Sequence, residues 1–420
     1  YYNTMSCSMY LLISVYWIHT FLIIWTDGSF EHNVEPGTPE YFHSLVNSDK
    51  DTRSLQLLYK NVDNISDDSG LSLSRSVLSD REHNTFLSPS QQDIADRCIS
   101  VPGCDEKAKY RSINGSCNNL DFPMWGMTGT ALVRIVKAAY RDGVNEPRTS
   151  VTNRPLPTPG ELRSLFPDRN VPDKVNILNV MEWGQVVSHD TSHIVNQHAE
   201  NGRGIMCCRK GKLPPDPTSL PKSCMPIKVP EDDPFYSQFS LTCLNFVRSM
   251  TTSNLGCNIS PQQQVATVTH FVDASFVYGS SDDIASSLRS FSGGKLNTQV
   301  TPDNRHFPPN VKNSRQLCDN SSPKDACYFA GDDRVNLNPT IAVHQILFLR
   351  EHNRLCEELQ SLNPDWDDEK LYQEARRIVA AITQRITYKH YLRIVLGIDF
   401  LKKIKLLDGD EDQDMMTNQY

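Results

Sequence analysis

Apolar residues recur at helical spacing in three stretches of the chain, and these predict its framework. Over residues 175–193, Ile177, Leu178, Met181, Val186 and Val187 fall about one turn apart, the pattern of an amphipathic and largely buried helix. A second helix is predicted from Pro339, with Val343, Ile346, Leu347, Leu349 and Leu355 as its apolar face. A third, over residues 365–397, opens on acidic residues and carries Leu371, Ala375, Ile378, Val379, Ile382 and Ile386.

Elsewhere the pattern changes. Residues 269–280 alternate Thr269, Phe271, Asp273 and Ser275 at every second position, which suits either an amphipathic strand or a loop aiming oxygens at one point. Residues 207–234 are rich in Pro and Cys and predict irregular, crosslinked loop. Residues 110–126 form a polar, turn-rich segment. From residue 26 to about 100 the chain is rich in Ser, Asp and Asn with no sustained period, the mark of a loose pro-segment or linker. Ahead of it, an apolar run over residues 9–25 is broken only by Ser14, His19 and Thr20. It lacks a basic flank and is read first as a signal peptide and second as an uncleaved anchor. The expected organisation is therefore 1–28 leader or anchor, 29–97 linker, and 98–420 the folded domain.

Composition narrows the partner. At 420 residues the chain has length for two to three domains, or one large helical domain with an appendage. A net charge of -8 with no basic cluster argues against nucleic acid and toward a small molecule or another protein. Twelve cysteines, without a CxxC pair or a nearby His at ligand spacing, point to disulfides and an oxidising compartment in preference to zinc. Sequons at Asn64, Asn114, Asn258 and Asn320 agree with secretion but decide little.

The first helix carries the candidate chemistry. Gln185 and His189 are four apart and share a face, whereas Asp190 turns about 100° away. An imidazole with an amide one turn earlier suits acid–base work on a small polar molecule, and the carboxylate could hold a cation behind it. A structural role is the plainer reading of a single helical His. Arg334, in the loop before the second helix, either projects into a cavity or forms an ordinary salt bridge with its neighbouring Asp residues.

Five blocks in order, EWGQ-x-x-x-HD, FVDAS-x-VYGS, AGD-x-R-x-N, LREHNRL and LYQEAR, resemble the animal haem peroxidases over residues 98–397. The resemblance implies a mainly α fold with little β, haem b and calcium as cofactors, and hydrogen peroxide with phenolic, protein-tyrosine or halide donors as substrates. By position it makes His189 the distal histidine, Gln185 the amide beside it and Arg334 the catalytic arginine. Calcium falls to Asp190, Thr269, Phe271 through its carbonyl, Asp273 and Ser275. It also implies disulfides Cys104–Cys117 and Cys318–Cys327, with Cys207, Cys208, Cys224 and Cys243 forming two more, while Cys257 and Cys356 have no assured partner.

Two departures from the family pattern matter. Ser188 and Leu337 stand where mammalian members ester-link haem through Asp and Glu, so any haem here is expected to be non-covalent. The family's proximal iron ligand is a histidine downstream of the block ending at Gly397, and the chain holds no match to it before Tyr420. The leading expectation is thus a secreted haem peroxidase lacking its C-terminal part. The alternative is a secreted binding or adhesive protein on a peroxidase scaffold.

Overall fold

The computed structural model describes residues 44–45, 102–132, 134, 136, 138–143, 145–166, 169–197, 204–253, 261–311 and 327–406. The expected leader, nearly all of the expected linker, Cys257 and Cys318 lie outside them.

The folded part is mostly helical, with short strands at its margins. A two-residue strand β1 (Ser44–Leu45), within the segment read as linker, pairs antiparallel with a later strand (Thr251–Ser253). α1 (Pro159–Ser164) starts on a capping box in which Thr158 and Glu161 satisfy each other's backbone N–H groups. α2 (Leu178–Thr191) is the helix expected over 175–193. Through residues 207–247 the chain is mostly loop stapled by disulfides, as the Pro and Cys content predicts. The only ladder in this stretch is the pairing of β2 (Ile227–Lys228) with β3 (Cys243–Leu244). α3 (Ser275–Tyr278) and α4 (Asp282–Leu288) follow.

The core is built on α5 (Pro339–Leu362) and α6 (Asp368–Arg385). Asn338 caps α5 by accepting from the Ile341 N–H, with Pro at the first helical position where its missing N–H costs nothing. Asp367 caps α6, and Asp368 and Glu369 sit in its positive first turn. Phe348, Leu349, Leu355 and Cys356 of α5 pack with Tyr372, Ala375 and Val379 of α6, and α3 and α2 close over them through Phe276, Tyr278, Trp183 and Val186.

The third predicted helix is interrupted. After Arg385 the chain makes a wide π turn (Ile386–Tyr391), then α7 (Leu392–Val395), and Gly397 at φ 80° ends it before α8 (Ile398–Lys403). The wide turn brings Thr387 under the Trp183 indole, whose Nε1–H donates to it at 3.3 Å, and sets Tyr391 against Gly184. A Cβ on Gly184 would overlap the Tyr391 hydroxyl, so the glycine of the EWGQ block is a packing requirement.

Two expectations about burial fail. Ile177, Leu178 and Met181 of the first helix are exposed, as are Val343 and Leu347 of the second. On α2 the buried face runs instead through Glu182, Trp183, Val186, His189 and Asp190. The apolar pattern covered more than one side of each helix, and the contacts with α3 and α6 use only one of them.

His352 lies at the centre of the core. Its Nε2–H donates to the Gly294 carbonyl at 2.9 Å, so Nδ1 accepts from the Tyr278 hydroxyl at 2.8 Å. Burial pulls its pKa down to about 4, and the ring is neutral in the fold. The folded value lies below the unfolded one. As pH falls from about 6.5 toward 4, the unfolded chain takes up a proton that the native one refuses, and stability declines by up to about 3 kcal/mol. Urea midpoints measured from pH 7.5 to 4.5 will show this decline, and His352→Gln will flatten part of it. An unchanged slope in the variant would assign the acid sensitivity elsewhere.

Three disulfides complete the frame: Cys104–Cys117, Cys207–Cys224 and Cys208–Cys243. Cys327 is also disulfide-bonded, its expected partner Cys318 lying outside the described residues, and Cys356 is a buried free thiol. No described helix is long and apolar enough to cross a membrane.

Candidate active site

The last two turns of α2 hold Gln185, Ser188, His189 and Asp190, which face different ways. Ser188 is exposed, Gln185 half-buried, and His189 and Asp190 are buried. The His189 ring borders a narrow gap, too tight for a water molecule, lined by Val186, Phe276, Ile341 and Gln345. Its Nδ1 has no hydrogen-bond partner, and neither does Gln345 Nε2 nearby. Burial, then the charge of Arg334, lowers the His189 pKa to about 4. The imidazole is therefore neutral near pH 7, as a group that accepts a proton must be.

Arg334 stands on a short 3-10 turn (Asp333–Asn336) and makes the salt bridge with a neighbouring Asp that the sequence allowed. Its Nε and one terminal nitrogen grip the buried Asp332 carboxylate at 2.8 and 2.7 Å. The same guanidinium donates to the carbonyls of His189 at 2.9 Å and Ser192 at 3.0 Å, the open C-terminal end of α2. Arg334 thus anchors the histidine's helix to the turn before α5. Although burial pushes the Asp332 carboxyl upward, the Arg334 hydrogen bonds hold it below the ordinary range. His193, Asp332 and Asp333 also lie close enough to share a cation, but Asp332 has both oxygens committed to Arg334.

On the other side of α2, the alternating segment is no strand. Ala274 adopts φ 63°, and the turn it makes wraps the chain around the Asp190 carboxylate. Asp190 Oδ1 accepts from the Ser275 hydroxyl at 3.0 Å and the Phe276 N–H at 3.3 Å, and Oδ2 accepts from the Ala274 N–H at 3.2 Å. Asp273 accepts from the Thr269 hydroxyl at 2.9 Å and the Ser275 N–H at 3.1 Å. Both carboxyls are buried. Burial first, and then the charge of Asp273, pushes the Asp190 pKa well up, and burial raises Asp273 as well. Four of the five residues expected to bind calcium are joined in one hydrogen-bonded cluster. The fifth, Phe271, sits between them in sequence with its ring against Gly126, whose φ of +73° and missing Cβ make room for it.

The sequence of residues 110–420 matches the profile of the family described as animal haem peroxidase. The chain belongs to that family. Among curated peroxidases it is 40% identical to chorion peroxidase of Aedes aegypti over 333 residues, 78% of this chain and 41% of that protein. It is 36% identical to human myeloperoxidase over 324 residues, covering 71% of this chain and 41% of that protein. The chain spans about two fifths of the length of these relatives. In fold it resembles peroxidase A of Dictyostelium discoideum, with a TM-score of 0.54 at 24% identity over 68% of this chain and 53% of the other.

With the family established, the peroxidase blocks have structural meanings that spacing alone concealed. Asn338, Glu182 and Gln345 were not singled out in the sequence, yet Asn338 contacts Gln185 directly. Asn-Pro at 338–339 is a helix-start signature and was the one available signal for Asn338. Glu182 and Gln345 looked like ordinary polar helix positions, and only burial distinguishes them.

Proposed function

We propose that this chain forms the distal half of a secreted haem peroxidase that uses hydrogen peroxide to oxidise phenolic, protein-tyrosine or halide donors. The observation that carries the reading is the buried, neutral His189, its Nδ1 unpartnered, on a helix tied down from both sides. The residues fit one face of a haem. Gln185 and Ser188 lie on an open strip of α2 with exposed Leu178 and Met181, and exposed Leu337 adjoins the Asn338 that contacts Gln185. His189, Gln185 and Arg334 are the polar residues that would serve a planar apolar macrocycle held against that strip. The disulfides support an extracellular location.

When bound, haem would supply the iron on which peroxide is split and the oxidising equivalents that donors then quench. The protein's part is proton handling and charge. His189 would accept a proton from one peroxide oxygen and return it to the other, which would leave as water. Arg334, a fixed cation beside it, stabilises negative charge developing on that oxygen. Asp190 and Asp273, with Thr269, Ser275 and the Phe271 carbonyl, would hold calcium behind the helix and keep the imidazole in register.

His352 is not available to ligate iron, because the Tyr278 hydroxyl and the Gly294 carbonyl engage both of its nitrogens. The chain matches about two fifths of its curated relatives, and we propose that the iron ligand is supplied by a portion corresponding to what it does not match. The test compares residues 1–420 with the same chain lengthened by the C-terminal portion of Aedes aegypti chorion peroxidase, each titrated with haem. The short form should give a weak Soret band and little guaiacol oxidation, and the long form both. Full activity in the short form, or none in the long one, would overturn the reading.

Haem in the long form is expected to be non-covalent, because neither Ser188 nor Leu337 carries a carboxyl to esterify. Acidified organic solvent should extract all of it. Haem left on the denatured chain would contradict this.

A further inference from the structure

Asn338 has two jobs at once. As the cap of α5 its Oδ1 accepts from the Ile341 N–H at 2.9 Å and from the Thr340 hydroxyl at 2.6 Å. Both lone pairs of that oxygen are thereby used. What remains of the carboxamide is Nδ2, which can only donate, and it does so to Gln185 Oε1 at 3.2 Å. Which end of an amide is oxygen is ordinarily ambiguous. Here the helix cap removes the ambiguity for Asn338, and Asn338 removes it for Gln185.

We infer that Asn338 is a positioning residue that locks the Gln185 amide with its oxygen turned away from the ligand side and its Nε2–H₂ left to face a bound ligand. The two ends of a planar amide lie on different sides of its carbon, so holding Oε1 leaves Nε2 as the free end. Among the described residues that nitrogen has no partner. The class of ligand follows from the chemistry. A pure donor beside a neutral imidazole favours a group rich in lone pairs, such as a small anion or a peroxide oxygen, over one that must donate. The inference rests on the peroxidase reading only for what the ligand is. The amide's orientation stands on the fold.

The test uses substitutions that keep the cap. Asp and Ser both cap helices about as well as Asn, so N338D and N338S should melt close to wild type. Side-chain amide NMR of the described chain, without haem, reads the lock. In wild type one Asn338 Nδ2 proton is shifted downfield and slow to exchange, while the Gln185 pair resembles free amide. In N338D the cap must offer an acceptor, so the Gln185 amide turns over and one of its own protons becomes the shifted, protected one. In N338S neither signature is present. In the lengthened, haem-loaded protein, N338S should weaken azide binding, read from the Soret shift, by roughly two- to tenfold through the lost ordering of one side chain. A cap with no further role predicts Gln185 resonances and azide affinity that are the same in all three proteins, and that result would overturn the inference. Failure of the long form to take up haem would count against the peroxidase reading while the NMR result still judges the lock.

Discussion

Calcium added at neutral pH is expected to raise the melting temperature of the wild-type chain substantially and to leave Asp273→Asn unmoved. Asp190 and Asp273 are the reason. Two buried carboxyls beside one another cannot both be ionised without cost, and the hydroxyls and amides around them offset only part of it. A divalent cation among them relieves both the burial and the repulsion. If the ion binds the folded chain alone, a thousandfold excess over its dissociation constant contributes about 4 kcal/mol. For a domain of this size that is on the order of 10 °C. Both groups have folded pKa values above their unfolded ones, so without the ion the charged pair subtracts stability at neutral pH, and acidification relieves it. With calcium bound, protons compete with the ion, so the stabilisation it confers shrinks as pH falls. Asp273→Asn removes one charge of the pair, so the ion-free variant should melt no lower than the ion-free wild type. Thermal melts with calcium and with a chelator, at pH 7.5 and 5, give all four comparisons. Equal gains in the two proteins would sink the assignment of the site.

Much of this arrangement was legible in the residues themselves, for reasons that differ from element to element. α5 and α6 carry strong caps, Asn338 with Pro339 and Asp367 with two acidic residues after it, and a dominant apolar face, so their starts and types followed from local rules. The 3.6-residue period put Gln185 and His189 on one side of α2 and Asp190 on another, whereas in the structure His189 and Asp190 are both buried and Gln185 is half-buried. What the period could not show was which apolar positions would be covered. Leu178, Met181, Val343 and Leu347 read as core by their chemistry, but burial is settled by what packs against a helix. For residues 269–280 the alternation left strand and converging loop both open. The loop forms because Ala274 enters the left-handed region, which no sequence pattern announces for a residue with a Cβ. Asn338 was missed because it acts through a long-range partner, Gln185.

His189→Ala should lower peroxide turnover of the haem-loaded, lengthened protein by about 10² to 10⁴-fold, the range typical of losing a positioned general acid–base. That corresponds to about 3–5 kcal/mol of barrier. The fold is expected to tolerate the change. The imidazole makes no side-chain hydrogen bond in its pocket, and the anchors of α2, Arg334 on the His189 and Ser192 carbonyls and Ser275 on the Asp190 carbonyl, all use backbone oxygens that alanine retains. The cost in stability is therefore the lost packing of one ring, and circular dichroism and haem uptake should match wild type. The loss should appear in the step with peroxide, seen as a slower Soret change on mixing, while the KM for guaiacol stays the same. His189→Gln separates the base from its bulk: it refills most of the pocket but has no basic nitrogen, so it should be nearly as slow as the alanine variant. Recovery of activity in the glutamine variant would mean that the ring contributes shape alone, and the proton would then have to pass through another group.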